Sequence, residues 1–104
     1  MVIRIRAAAS ARLYDGRIYR TGRAGIRVLD VRDPLRPTRG AHVPIPRLDA
    51  VIAGGRLYAL DALGTRILVF ELVDGTPMLV GDGERGAPRW RRLATDGEAL
   101  YVTR

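Results

Sequence analysis

Apolar residues along this chain come in short runs interleaved with polar ones, and Gly, Pro and Asp punctuate them every few positions. Ile26-Arg27-Val28-Leu29-Asp30-Val31 and Ile67-Leu68-Val69-Phe70-Glu71-Leu72 show the pattern. Runs of roughly four to seven residues rich in Val, Ile, Leu and Tyr fit strands, and no segment sustains a helical period of about 3.6 residues over three turns. The pattern predicts a leading strand from Val2 to Ala7, then strands at Ala11 to Tyr14, Arg17 to Thr21, Ile26 to Val31 and Thr38 to Val43. A second set is predicted at Asp49 to Ala53, Arg56 to Asp61, Arg66 to Leu72 and Met78 to Gly81. Arg92 to Thr95 and Ala99 to Thr103 begin a third set. Ala7, Ala8 and Ala9 favour helix locally, but the strand-like counterparts Leu48 to Ala53 and Arg91 to Thr95 argue for a strand there too.

These sets are copies of one unit. Asp15-Gly16-Arg17-Ile18-Tyr19, Gly54-Gly55-Arg56-Leu57-Tyr58 and Asp96-Gly97-Glu98-Ala99-Leu100-Tyr101 each place a turn pair before a strand that carries a Tyr. The Tyr recurs after 39 and then 43 residues. Four short antiparallel strands per roughly 40–45 residues is the arithmetic of a β-propeller blade. The expected fold is therefore all-β, with antiparallel four-stranded blade-like sheets forming a partial β-propeller of about 2.5 blades. The repeats run approximately over residues 9–47 and 48–90, with a partial copy over 91–104.

Gly25-Ile26-Arg27-Val28-Leu29-Asp30-Val31-Arg32-Asp33-Pro34-Leu35-Arg36-Pro37 resembles the LVIVD repeat of β-propellers. In that repeat a Gly precedes an apolar strand ending in Asp-Val, followed by Asp-Pro, two residues and Pro. The second copy is degenerate, with Val69-Phe70-Glu71-Leu72 and Asp74-Gly75 where Asp-Pro would stand, and the third is half present. The resemblance implies architecture and carries no catalytic residue over. Asp30 and Asp33 are expected to cap turns and Pro34 to fix the corner. A propeller closes with four blades or more, so two-fold self-association is the simplest completion. In it the third sheet would borrow a partner's Val2 to Ala7 strand. A compact monomeric sandwich of about ten strands is the alternative.

Composition narrows the classes. All 18 basic residues are Arg, against 11 carboxylates, for a net charge of +7; Lys, Asn, Gln and Cys are absent. The missing Cys excludes a disulfide framework and a thiolate metal site, and a lone His42 cannot build a zinc cluster. The Arg excess fits a GC-rich coding bias, and it also fits a polyanion partner. The alphabet is thermophile-like in lacking Asn, Gln and Cys, although the usual signal is Lys with Glu. No apolar run approaches the ~20 residues of a membrane span. Arg4 and Arg6 interrupt any signal-peptide core, so a cytoplasmic location is expected.

Candidate chemistry is thin. His42 has no nucleophile paired with it by any motif, and Ser10 is the sole Ser; a surface or hydrogen-bonded His is expected. Asp82 with Glu84, and Asp96 with Glu98, read as turn residues, since a calcium loop needs more carboxylates at fixed positions. Gly22-Arg23-Ala24-Gly25 and Gly81-Asp82-Gly83-Glu84-Arg85-Gly86 lack the following helix of a phosphate loop, and both read as turns between strands. Arg89, Trp90, Arg91 and Arg92 form the one candidate anion or stacking site, three guanidinium groups around an indole. On an alternating strand Trp90 and Arg92 share one face and Arg89 and Arg91 the other, so the four converge on one ligand only if the segment is a loop, as Pro88 just before it would allow. The competing reading packs Trp90 against the neighbouring blade.

No catalytic, cofactor or metal residue is assigned, and no constellation names an enzyme. The expected function is a non-enzymatic structural or interaction module that self-associates or binds another protein. An anion- or nucleic-acid-binding protein using its Arg-rich surface is the alternative. Salt separates the two, because polyanion binding weakens steeply as salt rises.

Overall fold

In the computed structural model, which describes residues 10–45, 47–61, 63–85 and 90–103, Asp15 and Gly16 both take positive φ, 48° and 70°. That is the backbone of a two-residue hairpin turn whose twist matches the strands it joins. Gly54-Gly55 and Asp74-Gly75 repeat it, whereas at the third turn pair read from sequence only Gly97 takes positive φ and four residues, Asp96 to Ala99, make the turn.

The result is all-β. β1 (Ser10–Tyr14), β2 (Arg17–Gly22), β3 (Gly25–Asp30) and β4 (Thr38–Val43) form one antiparallel sheet in chain order. β5 (Arg47–Ala53), β6 (Arg56–Asp61), β7 (Arg66–Val73) and β8 (Thr76–Arg85) form a second in the same order. β9 (Arg92–Thr95) and β10 (Leu100–Thr103) make a two-stranded third sheet. Both four-stranded sheets are compatible with blade-like units, and there is no helix among the described residues. The predicted leading strand, Val2 to Ala7, lies outside the described residues.

One prediction is corrected. Residues 81–85 are not a turn between strands but the second half of β8, with Gly81 opposite Val69, Asp82 opposite Leu68 and Arg85 opposite Arg66. Two register shifts accommodate the glycines. Gly inside a strand often marks a bulge rather than an end, which is why punctuation alone misread it.

Alternation within each strand divides its side chains between two neighbours. From the second sheet, Ala50, Leu57, Ala59 and Phe70 face the first and join Tyr19, Ile26 and Val28 in one buried cluster. Val51, Leu60 and Ile67 face the other way and bury Leu93, with Tyr58, Trp90, Leu100 and Val102 packed around them. Each sheet boundary thus has its own apolar layer. β5 lies beside β1 on one flank and beside β9 on the other.

Polar groups lock the corners. Asp33 Oδ1 accepts the Leu35 N–H at 3.1 Å, and Asp30 Oδ1 accepts the Arg32 N–H at 3.0 Å. Asp61 Oδ1 accepts the N–H groups of Thr65 and Arg66. That closes the β6–β7 turn, whose Gly64 carbonyl takes the Trp90 N–H at 3.0 Å.

Candidate functional site

Trp90 and Arg91 precede β9 rather than belonging to it, so strand alternation does not govern them. Trp90 is half-buried and packs against the cluster of Val51, Leu60, Ile67 and Leu93. It therefore shares its apolar surroundings with Leu93, three residues on, and not a face with the exposed Arg92. Arg91 donates its backbone N–H to the Thr103 carbonyl at 2.7 Å, and its side chain is exposed. Arg89 lies outside the described residues.

The third sheet offers a second surface. β10 is hydrogen-bonded to β9, and no other described strand pairs with it. Tyr101, the repeat counterpart of Tyr19, is 51% exposed where Tyr19 is 1% exposed. Tyr19 is covered by the second sheet, and desolvation pushes its hydroxyl above the ordinary range against the pull of Arg17. The Tyr101 hydroxyl instead donates to Asp96 Oδ2 at 3.1 Å. Asp96 also accepts the backbone N–H groups of Ala99 and Glu98, and these bonds hold its carboxyl below the ordinary range. Asp96 is a turn residue, as read from sequence. Beside it a small cleft is lined by Tyr58, Thr95, Gly97, Glu98 and Leu100.

Asp49 was missed as a special residue by sequence reasoning. It is a buried carboxylate, 2% exposed, whose Oδ1 accepts the Ala50 N–H at 2.9 Å and lies 3.7 Å from the Arg12 guanidinium. Its Oδ2 accepts the Leu93 N–H at 2.8 Å. One carboxylate therefore touches all three sheets. The signal was available: an Asp set against Ala50-Val51-Ile52-Ala53 is a charge in an apolar strand, and buried charges need partners.

His42 is exposed, and its Nε2 lies 2.6 Å from the Ala24 carbonyl oxygen. A carbonyl only accepts, so Nε2 carries the hydrogen and donates. Among the described residues no three His, Cys, Asp or Glu side chains gather to hold a metal ion, and no helix is long and apolar enough to cross a membrane. Comparison with family models, curated proteins and solved structures finds no match to this chain.

Proposed function

We propose that this chain is an interaction module of the LVIVD propeller type, which associates with a second copy of itself through the β10 edge of the third sheet. The observation that carries this reading is the contrast between buried Tyr19 and exposed Tyr101 at the same repeat position. A sheet packed against Tyr101 would give it the environment that the second sheet gives Tyr19. Among the described strands one edge of β10 is left unpaired, which supports the same partner, because strand edges template pairing with another chain. Light scattering at low and moderate salt tests it. A mass of about twice 11.5 kDa that survives salt, and falls to the monomer in Tyr101→Asp, is the expected result. A salt-independent monomer for the parent protein would rule it out.

A second reading, binding of a polyanion at Arg89, Trp90, Arg91 and Arg92, is favoured by the exposed Arg91 and Arg92, which form no ion pair among the described residues. Its mark would be binding that fades steeply between low and moderate salt.

A further inference from the structure

The outer face of the first sheet, turned away from the second, gathers positive charge in register. Arg20 on β2 stands directly opposite Arg27 on β3, and Arg27 stands directly opposite His42 on β4. Directly opposed Cβ atoms lie roughly 4.5–5.5 Å apart, and like charges placed there repel. Arg39 joins them through an irregularity. It pairs with Leu29 while His42 pairs with Arg27, so Gly40 and Ala41 together oppose Val28 alone. In an unbroken strand residues three apart face opposite sides. The extra residue of this bulge restores Arg39 to the face that carries His42. Bulges re-aim side chains in this way and are enriched beside functional sites.

Among the described strand residues nothing acidic balances the set on this face, which also carries Leu13, Ile18 and Leu29. The ion pairs among the described residues use Arg12, Arg17 and Arg32, not these three arginines. Arg20 and Arg27 are half-buried, while Arg39 and His42 are exposed. Together with Gly40 and Ala41 they line a recess of about 40 Å³, room for a few waters or one tetrahedral anion. The bond from Nε2 to the Ala24 carbonyl fixes the imidazole and leaves Nδ1 open, to accept the hydrogen of a protonated phosphate oxygen in the neutral ring or to donate to a bare one in the imidazolium.

We propose that this bulged face is a phosphate-binding site in which Arg20, Arg27, Arg39 and His42 hold one phosphate group. Guanidinium groups match phosphate oxygens with paired donors, and a bound anion converts the Arg20–Arg27 repulsion into a shared attraction. The site is separate from the third sheet and does not depend on self-association.

Calorimetric titration with inorganic phosphate and with adenosine monophosphate, both against chloride at matched ionic strength, tests the proposal, with the His42 imidazole NMR signals followed in parallel. Saturable phosphate binding that moves the His42 signals is expected. Arg27→Gln and Arg20→Gln should each weaken it about tenfold, the scale of one charged hydrogen bond lost. Arg56→Gln, an exposed arginine on the second sheet, should leave it unchanged. Phosphate should raise the melting temperature of the parent protein more than that of Arg27→Gln, whose unliganded form should melt no lower than the parent because one repulsion is gone. Equal affinity for the two ligands assigns recognition to the phosphate alone, and tighter binding of the nucleotide assigns the source to a phosphorylated small molecule. Phosphate binding no tighter than chloride, or lost in Arg56→Gln and kept in Arg27→Gln, would overturn the proposal.

Discussion

The Asp49 carboxylate accepts the backbone N–H of Leu93 across the boundary between the second and third sheets, at 2.8 Å and with Asp49 almost wholly buried. The third sheet is therefore tied to the second by more than the apolar layer around Leu60 and Ile67. The same carboxylate reaches Arg12 of the first sheet, so a single side chain registers three consecutive sheets.

Replacing Asp49 by Leu should destabilise the protein by about 2–5 kcal/mol, since two buried N–H groups each lose their acceptor at roughly 1–3 kcal/mol apiece. Arg12→Ala should cost less than about 1 kcal/mol, because Arg12 is 40% exposed and the contact is long. Urea denaturation of the two variants measures both. Equal midpoints would contradict the bridging role of Asp49.

Gly25 opens the LVIVD-like segment with φ at 95°, and a Cβ there would collide with the Val43 carbonyl oxygen and the Ile45 nitrogen. Gly97 has nearly the same φ, 98°, but open space around its Cα. Gly25→Ala should therefore cost clearly more than Gly97→Ala, by about 2 kcal/mol or more for a strained position that must also shift backbone. Matched thermal melts of the two variants isolate the collision from the strain of positive φ.

Asp30 titrates at about 2, held down first by the Arg32 guanidinium and then by the Arg32 backbone N–H. A carboxyl depressed in the folded state adds stability that is fully present above its ordinary value near ~3.9. That contribution is lost as pH falls through about 2. NMR of the Asp30 carboxyl carbon should show a midpoint near 2, moved upward in Arg32→Ala. A midpoint near the ordinary value in the parent protein would show that the Asp30–Arg32 pair does not persist in solution.

Trp90→Ala should lower stability by about 2–4 kcal/mol, somewhat under the roughly 3–5 of a fully buried aromatic because the ring is half-exposed. Chemical denaturation followed by circular dichroism measures the loss. A variant as stable as the parent would mean that the indole is held for a ligand rather than for the Leu60, Ile67 and Leu93 layer.

Turns and strands were written locally. Asp15-Gly16, Gly54-Gly55 and Asp74-Gly75 are residue pairs that tolerate positive φ, and alternating apolar runs beside them have few options except hairpins. The recurrence of Tyr19, Tyr58 and Tyr101 likewise disclosed the repeating sheets. Side-chain alternation comes from steric preferences within one chain segment, so the sequence by itself determined the strands and the all-β class. Tertiary structure alone decided which turn-like glycines lie inside β8, and that Gly40 and Ala41 share one partner. It also decided that Asp49 meets Leu93 and that Tyr19 is covered while Tyr101 is not. Each of these is a relation between segments distant in sequence. Register and burial are set by what a strand pairs and packs with, and no residue carries that information alone.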